Sequence, residues 1–279
     1  MIEAILKYNY MQNALMAAVL TSLICGVMGT IIVQKRLVSM SGGIAHASFG
    51  GIGLGYFLAI EPIIGGLVFA TITSVSVGAI QRKTKNNADT IASMFWSAGM
   101  ALGIFFVALT PGYPPDMTSY LFGDILAVSQ TYIRLMVLLT LIILFIIFPL
   151  FNYWKLYLFD EEYAKIMGVK VILLETVLYV LIALSIVILI KVVGVILSLA
   201  LLTIPPTIAK LFTYQLKWMM GLSVLFGIIF SLAGLSLSYY ANIPSGATII
   251  LVAIGGYFLA AITKKLWHKR KHSEVDATV

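Results

Sequence analysis

Ser39-Met-Ser-Gly-Gly-Ile-Ala-His-Ala-Ser-Phe-Gly-Gly-Ile-Gly-Leu-Gly55 places one histidine among rows of glycine, in a run with no other ionisable residue. Read at every fourth position it presents Ser39, Gly43, Ala47, Gly51 and Gly55; the adjacent row is Gly42, His46 and Gly50. Residues four apart share a helix face, so the spacing predicts a helix with one face almost bare of side chains. An ionisable group at membrane depth is costly to bury and marks a candidate site. Imidazole is also the commonest protein metal ligand. The stretch therefore predicts a polar path through a bilayer, lined by Gly42, Gly43, Ala47, Gly50 and Gly51, with His46 as a transient metal contact. The plainer alternative is a histidine bonded to a carbonyl of a neighbouring helix.

The surrounding chain supplies the bilayer. Its 279 residues are 61% hydrophobic and 10% charged, with a mean hydropathy of +1.04; a soluble domain carries about 25% charged residues. The expected fold is all-α and polytopic, one transmembrane domain over residues 1–279. The single cysteine, Cys25, excludes an intrachain disulfide and any CxxC site. Glu3 and Lys7 precede a run too long for a signal-peptide core, so the first span is expected to be its own targeting signal.

Charge-free runs long enough for spans lie at 14–33, 42–60, 62–80, 90–115 and 135–154, with shorter ones at 176–190 and 192–209. The run 218–263 holds two spans separated by the turn Asn242-Ile-Pro-Ser-Gly246. That makes nine spans, or eight if 176–190 and 192–209 form one bent element. With nine spans and the N-terminus outside, only Lys7, Arg134 and Lys191 of the 18 basic residues fall outside. The positive-inside rule supports that orientation. It also explains the net charge of +7 without nucleic acid: the basic residues are topogenic, and some touch anionic lipid. The basic tail 264–279 reads as a cytoplasmic stop signal.

Three segments depart from plain apolar helix. Thr110–Ser129, on the outer side, holds Asp116 and Asp124 and no base; it fits a loop with a short re-entrant or interfacial helix. Leu158–Lys170 is the one cytoplasmic loop of real length. There Asp160 can cap a short helix, and Glu161 and Glu162 suit the positive end of its dipole. Tyr163, Ile166 and Met167 share one side, and Ala164 and Gly168 are small at i, i+4; such a helix could dock in a partner's groove or lie on the membrane. Pro205 and Pro206 predict a kink or break in the seventh span.

Absences narrow the function. The chain contains no Gly-Lys pair, hence no phosphate-binding loop of its own. It has no H-E-x-x-H and no G-x-S-x-G, and no acid deep in a span. A proton-coupled carrier, a voltage sensor and an intramembrane enzyme all lack their usual groups.

Five ordered motifs resemble the permease subunit of bacterial zinc/manganese ABC importers, the ABC-3 family. They are Gly43–Gly55 with its histidine, Ser119–Val128, Phe159–Val169, Val193–Pro206 and Ile243–Ala247, together spanning about residues 10–263. The resemblance implies a homodimer of permeases, each copy pairing with a cytoplasmic ATP-binding subunit. An extracytoplasmic metal-binding protein would deliver a divalent metal ion, Zn²⁺ or Mn²⁺. ATP would sit on the partner, with no cofactor on this chain. Helix 158–170, through Asp160, Glu161, Ala164 and Gly168, would be the ATPase coupling element. Family members usually carry an aspartate four residues before the histidine, where this chain has Gly42; Met40, Ser41 or Ser48 would then be weaker substitutes. The alternatives are a chelated metal or another small solute on the same machine, or a stand-alone secondary carrier.

Overall fold

The computed structural model describes residues 8–84, 88–112 and 118–276, with side chains omitted at Ala88, Thr118 and beyond Leu266. Glu3, Lys7, Lys85, Asp116 and the side chains beyond Leu266 lie outside the described residues. The described residues form twelve α-helices and one 3₁₀ turn, with no strand. In chain order they are α1 (Asn9–Gln34), α2 (Val38–Phe57), α3 (Pro62–Thr84), α4 (Ala88–Leu109) and α5 (Thr118–Phe122). After the 3₁₀ turn Ile125–Ala127 come α6 (Gln130–Ile147), α7 (Phe151–Phe159), α8 (Glu161–Ile166) and α9 (Val171–Val193). The last three are α10 (Val195–Phe212), α11 (Leu216–Ala241) and α12 (Ser245–Asp276).

Eight helices are long and apolar enough to cross a membrane: α1, α3, α4, α6, α9, α10, α11 and α12. Helix α2 is less apolar, because glycine and histidine replace aliphatic side chains. Its 20 residues nevertheless span about 30 Å, the thickness of a bilayer core. Its two ends lie at opposite ends of the bundle. Lys35, just before α2, pairs with Glu161 at the basic end of the molecule; Tyr56, at its far end, meets Tyr120 of α5 at the other.

Helix packing divides the bundle in two. Helices α2, α3 and α4 form one group, joined to the rest through α9; α1, α10, α11 and α12 form the other. Lipid tails give no hydrophobic drive between spans, so close backbone approach and hydroxyl pairs must supply it. In the second group Thr30 bonds Ser223 across α1 and α11 at 3.1 Å, with Ser22 and Ser231 at 3.4 Å.

Two sequence expectations resolve here. The short runs 176–190 and 192–209 belong to two separate helices that meet at Gly194 (φ +82°) and diverge to different neighbours. Gly194 lies backbone to backbone against Gly123 (φ +62°) of the outer segment, so a side chain at either position would collide with main chain. By contrast, Pro205 and Pro206 do not break α10. Both are buried within a continuous helix, and bare Gly29 of α1 leaves room for the Leu202 carbonyl, whose usual donor Pro206 lacks.

Candidate functional site

His46 sits eight residues into α2, about 12 Å from its N-terminal start. Its ring stacks on Trp96 of α4, with centroids 4.2 Å apart and planes within 3°. Nδ1 is buried and makes no hydrogen bond, so the imidazole is not held by a neighbouring helix's carbonyl through that atom. Stacking fixes the ring plane, and in this conformation Nδ1 is left without a hydrogen-bond partner. A side chain at Gly42, one turn nearer the cytoplasm, would meet nothing within 4 Å. Gly42 and His46 therefore share a face with open space at its inner end.

The other small residues of α2 pack tightly. A methyl on Gly43 would lie 2.9 Å from the Ala92 carbonyl, and one on Gly50 would lie 3.0 Å from Phe69 and 3.1 Å from the Gly99 carbonyl. Gly51 abuts Gly65 of α3 main chain to main chain, and fully buried Ala47 abuts Gly99 of α4. In this conformation Gly43, Ala47, Gly50 and Gly51 are helix contacts, and the bare face expected to line a path is filled by the backbones of α3 and α4. The substitute ligands are equally committed. Met40 is buried, and Ser41 and Ser48 bond back to Val38 and Ala45 of their own helix at 2.7 and 2.6 Å. No cluster of three or more His, Cys, Asp or Glu occurs among the described residues.

At the basic end, α8 is short and firmly seated. Asp160 caps it, accepting from the Tyr163 amide at 2.8 Å. Ala164 is fully buried against its own chain, so it anchors the helix and is not part of an outward docking face. The outward face is Tyr163, Ile166 and Met167, with Ile166 82% exposed. Gly168 ends the turn at φ +77°, a conformation other residues adopt only with strain. Glu161 links α8 to Lys35 at 3.2 Å and pairs within the helix with Lys165 at 3.0 Å, while Lys35 also stands 3.7 Å from the centre of the Tyr157 ring. Partial burial pushes the Glu161 carboxyl up, but hydrogen bonds and charge from Lys165 and Lys35 outweigh it and hold the group below its ordinary value. Lys35 and Arg36 (φ +58°) form the turn that feeds α2. The 158–170 segment is thus tied directly to the head of the histidine helix.

A model of the ABC 3 transport family matches residues 7–264. The chain belongs to that family. It is 36% identical over 270 residues to a probable metal transport system membrane protein of Chlamydia pneumoniae, covering 95% of this chain and 92% of that one. It is 31% identical over 283 residues to the manganese transport system membrane protein MntC of Halalkalibacterium halodurans, covering 99% and 97%. Among solved structures it superposes with TM-score 0.83 on PsaBC from Streptococcus pneumoniae in complex with Fab, at 31% identity and 93% coverage of both chains. It is therefore a multi-pass ABC-3 membrane permease, as its motifs imply.

The outer end of this permease is held differently. Tyr56 and Tyr120 hydroxyls are 3.1 Å apart, and Tyr132 donates to Glu61 at 3.2 Å. Lys191 reaches the Tyr120 hydroxyl at 3.5 Å and faces the rings of Tyr120 and Tyr132. Sequence reading did not find these partners, nor Trp96, because aromatic residues at single positions carry no periodic signal. It also missed a row of exposed hydroxyls on α4, Thr90, Ser93 and Ser97. Their i, i+3, i+7 spacing was available as a signal. Ser93 and Ser97 bond back to carbonyls of Thr90 and Ser93, yet the row remains on the outer surface of a membrane span, beside the Trp96–His46 stack.

Proposed function

We propose that the chain is the membrane subunit of an ATP-driven importer of a divalent transition metal ion, with manganese first and zinc second. Two copies would form the path, each seated on one cytoplasmic ATP-binding subunit, with an extracytoplasmic metal-binding protein delivering the ion. ATP hydrolysis belongs to the separate subunit, and no cofactor is assigned to this chain. The observation that carries the reading is the Lys35–Glu161 link: it joins a cytoplasmic helix with an exposed apolar face to the turn that begins the histidine helix. Closure of the ATPase pair would move α8, and through Lys35 the head of α2, shifting the bundle between inward- and outward-open states.

The exposed hydroxyl row on α4 supports a path between two copies at this face, since hydroxyls facing lipid gain nothing and hydroxyls facing a water-filled seam are solvated. There His46 would exchange part of the ion's hydration shell, and Trp96 would hold the imidazole plane. A single imidazole without a carboxylate binds weakly, which suits passage. The name of the Halalkalibacterium halodurans relative favours manganese.

A chelated metal is the second reading, favoured by the unfilled space at Gly42, where a bare ion would gain from a carboxylate. Reconstitution of the permease with its ATPase and binding protein tests both. ATPase activity stimulated by metal-loaded binding protein supports the first. Stimulation only by a chelate supports the second, and none by either contradicts both.

A further inference from the structure

Some basic residues at this end of the molecule are paired and some are not. Lys35 and Lys165 pair with Glu161, and Arg82 pairs with Glu175. Lys155 and Lys217 have no carboxylate partner among the described residues. They instead line a cavity of about 410 Å³ between α7 and the start of α11, together with Phe151, Phe159, Tyr214 and Gln215. Two ammonium groups at one opening call for an anion. The aromatic walls exclude a fully hydrated one.

The setting is that of a bilayer edge. Tyr214 is 78% exposed and Trp218 65% exposed, the amphipathic rings found at headgroup level. The helix that precedes α7 offers a separate apolar surface. Phe151 follows α6 by one short turn, and the outer face of α6 is a lipid-facing strip. A shallow apolar hollow of about 500 Å³ lies there, formed by Leu141, Ile142, Leu144, Phe145 and Ile146, with Phe145 81% exposed.

We propose that this cavity holds the phosphate headgroup of an anionic phospholipid, with Lys155 and Lys217 as its counter-charges and the outer face of α6 as the track for its acyl chains. The lipid would brace α7, and hence the seat of α8, against the bundle. Its position follows the general pattern of basic pockets between spans on the cytoplasmic side.

The test uses the permease purified together with its ATPase subunit in detergent, titrated with phosphatidylglycerol or phosphatidylcholine and read by native mass spectrometry and by melting temperature. Phosphatidylglycerol is expected to remain bound and raise the melting temperature, and phosphatidylcholine to do neither. The Lys155→Ala/Lys217→Ala double variant should bind phosphatidylglycerol about tenfold more weakly or worse. Lys155→Arg/Lys217→Arg should retain it, which separates lost charge from a misfolded variant. Lys264→Ala/Lys265→Ala should leave binding unchanged. Equal retention of the two lipids, unchanged binding in the double alanine variant, or equal loss in the Lys264/Lys265 variant would overturn the site. Glycerol 3-phosphate binding as well as the lipid would make it a soluble-anion site and overturn the lipid reading. So would lipid binding to the isolated permease that disappears when the ATPase is present, because the cavity would then be a protein contact.

Discussion

The two halves of α2 are built from the same small residues and serve opposite ends. From Gly50 to Gly55 the glycines bring α2 into main-chain contact with α3 and α4, at Gly65, Pro62 and Gly103. From Gly42 to His46 an ion pair anchors the turn at the head and Gly43 packs on Ala92, but Gly42 faces open space and a ring nitrogen has no partner. A glycine row is thus no indicator of a channel wall. Within one helix it marks tight packing where a neighbour's backbone is present and an opening where none is. The difference leaves the open part of α2 at the end tied to α8 and the packed part toward the Tyr56–Tyr120 contact.

The most severe way to break this comparison is to add bulk to each half. Gly51→Leu should cost about 3 kcal/mol or more, since the main chain of Gly65 cannot move aside as a side chain would. A loss of monodisperse protein, or a large fall in melting temperature, would show it. Gly42→Ala should be neutral or stabilising by about 0.5–1 kcal/mol, through the gain in helix propensity. If both variants melt alike, the two halves do not differ. Next in size is the coupling face. Ile166→Asp should reduce metal uptake by about tenfold or more while leaving expression and melting unchanged, because an exposed apolar anchor contributes to partner binding and not to the fold. Pull-down of the ATPase subunit checks the cause.

Smaller effects sharpen the link between halves. Glu161→Gln removes a partly exposed ion pair and should cost no more than about 0.5 kcal/mol of stability. Its larger effect should be on coupling, seen as ATP hydrolysis with reduced uptake. The pH dependence follows from the sign of the shift. The folded carboxyl lies below its ordinary value, so its stabilisation is fully present above the unfolded carboxylate range and is lost as pH falls through the lowered folded value. The melting difference between wild type and Glu161→Gln should therefore hold at neutral pH and close in acid.

Much of this was legible in the sequence, and what was not has a common cause. Spans, the capped helix at Asp160 and the histidine helix follow from local hydropathy, periodicity and capping, which need only neighbouring residues. The Trp96–His46 stack, the inward turn of Ala164, the filling of the glycine face and the continuity of α10 through Pro205 and Pro206 depend on which helices meet. Ala164 and Gly168, both small and four apart, looked equivalent on a helical wheel. One is buried under α8 and the other is a left-handed stop, because the helix ends between them.

The central claim is that His46, held by Trp96 and uncommitted at Nδ1, lies on the ion's path. Uptake of radiolabelled manganese and zinc by cells producing the permease, its ATPase and its binding protein tests it most directly, comparing wild type with His46→Ala at matched membrane levels. The account predicts loss of uptake of the transported metal with the protein still folded and ATPase-bound. Wild-type uptake in His46→Ala would contradict it and leave the histidine as a packing residue of the α2–α4 contact.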